Sequence, residues 1–344
     1  MPSERKYLYL IVTKFPFKGG EPFLSEELKF LCQTFVNVYI IVPEGHRISD
    51  KTVNAFLPSN AEVFVFNTQP GFLDKLKALS SIFSRGFFLE RKAITKFYKQ
   101  KFSFFHVKTW LGFMSMARCF ESQFFAILKR HNHPASQTSL YSYWFFYATA
   151  GLALIKNRNN DFNAVSRIHG WDCFFERSLG SYLPARPFVF DTLDGIWPIS
   201  QAGLNYSQEK LGGHFKQKLQ LSYLGIQDIH IVPNKNHDSV KLNLVSIAFI
   251  DPVKKLDRIV DALTLIDDVN ICWSHIGVAL NGNNELQNYA HQKLKTKKNI
   301  QCNFLGTLSQ KQVYDFLANA EQHLLICTSL SEGLPVSMME AMAH

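Results

Sequence analysis

Short apolar runs separated by helix-length stretches constrain this chain more than any other feature. The runs YLYLIVT, VNVYIIV, EVFVF, SLYSY, AVSRIH, PFVFDTL and LQLSY form a first series, and LNLVSIAFI, VNICWSHIG, NIQCNFLG and HLLICTS form a second. Strands that alternate with helical patterns belong to α/β units, whose parallel sheets are covered on both faces. Between the two series, GIQDIHIVPNKNHDSVK is polar and broken by proline. The expected organisation is therefore an α/β chain with one domain over 1–224, a linker over 225–241 and a second domain over 242–344. A length of 344 residues is enough for two cores of ordinary size.

The opening MPSERKYLYLIVTKF carries an apolar run of only Tyr7 to Thr13 before Lys14, which reads as a first strand and not as a signal peptide. The long uncharged stretch from Ala135 to Ile155 holds Ser, Gln, Thr and Tyr. It reads as a strand followed by a buried helix, and no transmembrane segment is expected. The cysteines Cys32, Cys119, Cys173, Cys272, Cys302 and Cys327 form no C-x-x-C pair and no Cys/His cluster. They are expected to be buried thiols in a reducing cytosol.

The formal net charge of +9 is concentrated in one segment. Residues 75–130 hold twelve Lys or Arg against Glu90 and Glu121. Within it Ile94, Tyr98, Phe102 and Phe105 recur at helical spacing, with Arg91, Lys92, Lys96 and Lys99 mostly elsewhere on the wheel: a basic amphipathic helix. Such a helix either packs its apolar stripe on the core and solvates its basic face, or docks on an anionic membrane surface. No nucleic-acid-binding module accompanies the charge, so no nucleic-acid partner is expected.

At the end of the chain, HLLICTS reads as a buried strand, SLSEGL as the loop at its C-terminal end, and PVSMMEAMA as a helix with Pro335 in its first turn. Ligands of open α/β sheets bind at that edge. Gly333 and Leu334 lead into the helix, and the N–H groups of Val336 and Ser337 would face an anion such as a diphosphate. Glu332 sits beside that anion, and Glu340, leaning toward the helix start, reaches back to the same pocket. Carboxylates there suit the vicinal hydroxyls of a sugar or ribose.

The stretch SEGLPVSMMEAMA resembles the E-x7-E signature of retaining GT-B glycosyltransferases, in particular the bacterial enzymes of capsular, colanic-acid-like and other exopolysaccharide synthesis. FPFKGGEPFLSEEL (15–28) resembles that family's glycine-containing first loop, SRIHGWDCFFERSLGSYLPAR (166–186) its R-x-H-G-x-D segment, and SIAFIDPVKKLDRIVDAL (246–263) the P-x-K-R start of its second domain. WSHIG and NFLGTLS follow in the expected places. The resemblance implies a GT-B fold, two Rossmann-like domains facing across a cleft. It also implies transfer of a sugar from a UDP- or GDP-linked nucleotide sugar to a saccharide or lipid-linked acceptor, at the cytoplasmic, inner face of the membrane.

Carried over by position, the resemblance gives Glu332 the hydroxyls of the transferred sugar, Glu340 the nucleotide ribose and Lys254 the leaving diphosphate, with His169 facing the donor sugar. Arg167, Gly170 and Asp172 shape that wall, and Gly19 and Gly20 admit a substrate close to backbone. The blander readings are a solvent-exposed Lys254, a hydrogen-bonded structural His169, a helix-capping Asp172, an ion-paired Arg167 and a plain turn at Gly19 and Gly20. No D-x-D occurs, so no metal and no cofactor beyond the nucleotide sugar are expected. Phe249 stands where many GT-B enzymes carry an arginine paired with the lysine, and HIGVALNGN lacks the usual acidic-glycine continuation. The family also continues past the E-x7-E helix, so the second domain is expected to be incomplete. The alternative is a truncated, catalytically inactive, membrane-associated sugar-nucleotide-binding protein.

Overall fold

The computed structural model describes residues 5–17, 21, 23–44, 57–211, 213–226, 241–279, 282–318 and 323–344. Gly19, Gly20 and most of the 225–241 segment lie outside the described residues. The chain divides into two compact units, Met1–Gly225 and Ile226–His344.

The first unit strings together β1 (Tyr7–Ile11), α1 (Leu24–Thr34), β2 (Asn37–Glu44), β3 (Ala61–Asn67), α2 (Phe72–Ser80), α3 (Arg85–Lys96), α4 (Phe104–His131), β4 (Thr138–Ser142), α5 (Tyr147–Arg158), β5 (Asn163–Ile168), α6 (Arg186–Thr192), β6 (Gly195–Pro198) and α7 (Gln201–Leu211). Its six strands are all parallel, in the order β3-β2-β1-β4-β5-β6. The chain runs outward from β1 to β3 and then returns to place β4 on the other side of β1. That reversal opens a crevice beyond the C-terminal ends of β1 and β4, the usual ligand position in such sheets. β4 is buried along its whole length, as a central parallel strand must be. The long helix α4 covers one face with a stripe of Trp110, Met114, Ala117, Phe120 and Phe124. α5 packs closely on it at Gly151, where a Cβ would lie 2.5 Å from the Phe120 ring.

Two strand expectations fail here. PFVFDTL is α6, with a proline at its start and Val189 and Phe190 turned into the core, and LQLSY makes only an isolated bridge from Leu219 to Ile196. The sixth strand is instead GIWP. A short apolar run is compatible with either a buried helix or a strand, and only its neighbours decide between them.

The basic amphipathic helix is also revised. α3 stops at Lys96, Lys99 takes a left-handed φ of 53°, and α4 starts anew at Phe104. Ile94 and Tyr98 are buried, and Phe102 and Phe105 pack partly buried against the core, so this stripe serves the core. The exposed apolar side chains lie earlier: Phe72, Leu73, Leu76 and Leu79 on α2, then Phe83 and Phe88. Among the described residues, no helix is long and apolar enough to cross a membrane.

The second unit runs β7 (Lys241–Ile247), α8 (Asp257–Leu263), β8 (Asn270–Ile276), α9 (Glu285–Leu294), β9 (Ile300–Gly306), α10 (Gln310–Ala318), β10 (His323–Leu325) and α11 (Val336–Met342). Its parallel sheet has the order β10-β7-β8-β9, so its reversal lies between β7 and β10. α8 and α9 cover one face through Leu256, Ile259, Val260, Leu286 and Leu294. α10 covers the other through Val313 and Leu317. The expectation of buried thiols holds at Cys119 and Cys173, whereas Cys32, Cys272 and Cys302 are only half-buried and Cys327 is exposed.

Candidate functional site

In the second unit the reversal point carries the charged residues. After β7 the chain makes a 3-10 turn over Pro252–Lys254, started by Asp251, whose carboxylate accepts the Val253 N–H at 2.9 Å. This turn aims Lys254 at the loop that follows β10, where its Nζ lies 2.7 Å from Glu332 Oε1. Two bonds tie the loops together. The Leu330 N–H donates to the Val253 carbonyl at 2.8 Å, and the Thr328 hydroxyl lies 2.9 and 2.8 Å from the carbonyls of Lys254 and Lys255. The resulting recess has a volume of about 300 Å³ including its open mouth; Ser246, Lys254, Thr328, Glu332 and Ser337 are among its lining residues. The Lys254–Glu332 pair is about one quarter exposed, so it is partly screened and exchangeable.

Behind Ser246, which lines the recess, lies a residue that sequence reasoning passed over. His275 is fully buried, with Nδ1 2.8 Å from Ser246 Oγ, which also accepts the Trp273 indole N–H at 2.9 Å. Burial pushes the His275 pKa down to about 4, so the ring is neutral at physiological pH. Two residues on, Gly277 has φ 141° and lies so close to the Ala248 carbonyl that a Cβ would sit 1.8 Å from its oxygen. The glycine of WSHIG therefore lets the ends of β7 and β8 approach. It was the available signal for this junction.

Glu332 and Glu340 are placed differently. Glu340 is 9% exposed and is not among the residues lining the recess; its Oε1 accepts Gln310 Nε2 at 3.1 Å and the Tyr314 hydroxyl at 3.2 Å. Burial raises its pKa, and the two donors from α10 only partly oppose that. α11 starts after Pro335 as its cap residue. Its first N–H groups, at Val336 and Ser337, have no intrahelical acceptor. Gly333 and Leu334 are half-buried in the approach to it. Phe249, in the place where an arginine was sought, is 57% exposed.

In the first unit the reversal point is aromatic. His169 follows β5 and is 5% exposed, with neither ring nitrogen bonded to any described residue. Its ring centroid lies 4.0 Å from that of Trp144 and 5.3 Å from that of Tyr143. Asp172, fully buried, holds the two loops together: its carboxylate accepts the His169 N–H at 2.6 Å and the Phe145 N–H at 2.8 Å. Its Oδ2 is 3.8 Å from His169 Nδ1, beyond hydrogen-bond reach. Gly170 turns the chain, its carbonyl accepting the N–H groups of Cys173 and Phe174. Arg186 completes the brace from α6, donating to the carbonyls of Phe145 at 3.0 Å and Asp172 at 2.8 Å.

The Asp172 carboxylate is thus taken up by backbone N–H groups and starts none of the described helices. Arg167 is likewise engaged within the fold, in an ion pair with Glu27. It bonds the Tyr141 hydroxyl at 2.5 Å, Glu27 at 3.1 Å and the Ser222 carbonyl at 3.1 Å. Glu21, unmarked in the sequence reading, accepts the N–H groups of Thr13, Lys14 and Phe15, the Thr13 hydroxyl and, at 2.9 Å, the Trp144 indole. Its position beside Gly19 and Gly20 in the first loop was the only signal. Among the described residues, no group of three or more His, Cys, Asp or Glu could hold a metal ion.

The class to which this geometry belongs emerges from comparison. The chain has the two-domain, Rossmann-like GT-B fold. Three solved structures share it: the lipopolysaccharide outer core galactosyltransferase WaaB (TM-score 0.61, 13% identity, covering 98% of this chain and 78% of that one), Anabaena Alr3699/HepE in complex with UDP and glucose (0.62, 14%, 98% and 78%), and TarM (0.64, 12%, 99% and 84%). No curated protein matches the chain in sequence. Residues 229–344 match the family model described as Glycosyl transferases group 1, and this match together with the fold supports a glycosyltransferase.

Proposed function

We propose that the chain is a retaining glycosyltransferase that moves a sugar from a UDP- or GDP-linked donor to a hydroxyl of a lipid-linked saccharide in the synthesis of a bacterial surface polysaccharide. The observation that carries this reading is the Lys254–Glu332 pair at the reversal point of the second sheet. A diphosphate carries more charge than one carboxylate and competes for Lys254. Glu332, released, then accepts hydroxyls of the donor sugar. The bond from the anomeric carbon to the diphosphate breaks with its electron pair on the departing oxygen, where Lys254 and the first N–H groups of α11 stabilise the developing charge. The acceptor oxygen forms the new bond to the anomeric carbon, and its proton passes to the departing diphosphate oxygen. Metal independence is part of the proposal and rests on Lys254 and the absent D-x-D. Retention rests on the resemblance of the E-x7-E segment. His169, with two bare nitrogens, is the first unit's group for sugar hydroxyls, and Glu340 reaches the ribose only by leaving Gln310 and Tyr314.

The test is nucleotide release from a panel of UDP- and GDP-sugars. Glu332→Gln is expected to cut turnover by about 10²–10³-fold with the fold intact, the scale of losing one preorganised transition-state contact. Unchanged turnover refutes the assignment, and nucleotide binding without release from any donor favours the inactive binder.

An anionic membrane, at the cytoplasmic face, is the proposed partner of the first unit's exposed apolar side chains. Phe72, Leu73, Leu76, Leu79 and Phe83 stand among Lys75, Lys77 and Arg85, which matches a surface of lipid tails beneath anionic headgroups. Each basic residue at such a surface adds ~1 kcal/mol. Binding to phosphatidylglycerol vesicles is expected to weaken with salt and with Leu76→Asp, and a failure to respond to either removes the proposal.

A further inference from the structure

A second ring continues the stack beside His169. The Trp171 indole lies 5.6 Å from that of Trp144, centroid to centroid, with 29° between their planes, and Trp171 is 47% exposed. We infer that Trp171, backed by Trp144, is a platform on which a pyranose ring of the saccharide substrate stacks, its hydroxyls meeting the bare nitrogens of His169. This deepens the glycosyltransferase reading and rests on it.

Three observations support the assignment. First, the platform is rigidly built. Trp144 is held by its indole N–H on Glu21 at 2.9 Å and by its carbonyl, which accepts the hydroxyls of Ser142 at 2.7 Å and Thr149 at 2.9 Å. Trp171 is mounted next to Asp172, whose carboxylate is fixed by the His169 and Phe145 N–H groups. An indole of this size left half in water on a braced support forgoes burial that a core position would give it. Second, the location is the crevice between β1 and β4, where the loops after β1, β4 and β5 supply Glu21, Trp144 and Trp171. Third, His169 is buried against Trp144 with both nitrogens unsatisfied by any described residue, a state that costs free energy unless a partner arrives. A neutral imidazole offers one donor and one acceptor, and a sugar hydroxyl can meet either. A flat apolar face beside such a group matches a pyranose, whose C–H groups cover one face and whose hydroxyls ring the edge.

The sugar can belong to the donor or to the acceptor. The experiment uses the full chain and saturation-transfer NMR with methyl α-glucopyranoside, methyl α-galactopyranoside and methyl α-mannopyranoside, alongside affinities for UDP, UDP-glucose, GDP and GDP-mannose. Trp171→Ala is expected to weaken at least one methyl pyranoside about tenfold, and Trp171→Phe to preserve it. If the tenfold loss appears instead as a smaller advantage of UDP-glucose over UDP, or of GDP-mannose over GDP, the platform holds the donor sugar. Equal saturation in wild type and Trp171→Ala with unaltered nucleotide-sugar ratios overturns the inference, as does a Trp171-dependent signal from uridine alone. Should UDP or GDP binding persist and depend on Lys254 while the platform fails, the broader reading stands. Should pyranosides bind at Trp171 while no nucleotide binds, the platform stands and the broader reading falls.

Discussion

The two sheets reverse their strand order in the same way, yet the crevices they open are chemically opposite. Beyond β7 and β10 the chain places Lys254, Glu332, Thr328 and Ser337, side chains that exchange partners readily in partial contact with solvent. Beyond β1 and β4 it places Tyr143, Trp144, His169 and Trp171, an aromatic wall whose polar supports are buried and fully engaged. A charged, exchangeable site suits a diphosphate, which brings its own charge and leaves after each turnover. An aromatic site on a fixed brace suits a neutral ring that must be oriented. The same topology has thus been given two tasks by what its loops carry.

The contrast can be broken most severely at the brace. Asp172→Ala leaves the N–H groups of His169 and Phe145 without acceptors and removes the carboxylate whose charge most favours the Arg186 cation. It is expected to cost about 3–5 kcal/mol, seen in chemical denaturation of the first unit, whereas Lys254→Ala, removing a partly exposed pair, changes stability by less than ~1 kcal/mol. Comparable losses from both would mean that the two crevices are equally rigid.

The pH dependence separates the units next. Glu90 on α3 is fully buried, and burial pushes its pKa up to about 8, with Tyr182, Arg186 and the Ala185 backbone opposing the rise only in part. A carboxyl whose pKa is raised in the folded state stabilises fully below its unfolded pKa and loses that contribution as pH rises from about 4.5 to about 8, so the first unit is expected to weaken across that window and level off above it. His275, depressed to about 4, acts oppositely. The unfolded ring takes up a proton before the folded one, so the second unit weakens as pH falls from about 6.5 toward 4. Calorimetry across this range checks both, and Glu90→Gln and His275→Gln should each flatten one limb.

A smaller effect sharpens the view of Glu340. Its raised pKa means that its charge is disfavoured in the fold, so Glu340→Gln is expected to leave stability at neutral pH unchanged or slightly raised while reducing nucleotide affinity. A fall in stability with no change in affinity would make it a purely structural acid tied to α10.

Much of this was legible in the chain. The apolar runs located nine of the ten described parallel strands, closely enough to predict two α/β units, and the loop–proline–helix pattern placed Glu332 on the loop after the last of them, while the resemblance placed Lys254 at a strand-to-helix turn. Legibility failed where a pattern admits two structures. PFVFDTL looked like a strand because a buried helix is equally apolar, and the stripe from Ile94 to Phe105 looked like one helix because periodicity does not register the break at Lys99. The resemblance makes Arg167 and Asp172 parts of a donor wall, and their partners, Tyr141, Glu27 and the Phe145 N–H, come from another strand, a helix and a loop distant in sequence.

By itself, then, the order of residues determined most of the element types, the division into two units and the set of polar groups near the sheet edges, because hydrophobic period and turn chemistry act over a few residues. Tertiary structure alone decided which of those groups are occupied internally and which face outward. That choice depends on strands distant in sequence coming into register, so that Trp144 meets His169 and Glu21, Arg186 meets Asp172, and Glu340 meets Gln310 and Tyr314. The partners of a buried polar side chain are set by what the fold brings within about 3 Å, a distance that no local pattern encodes.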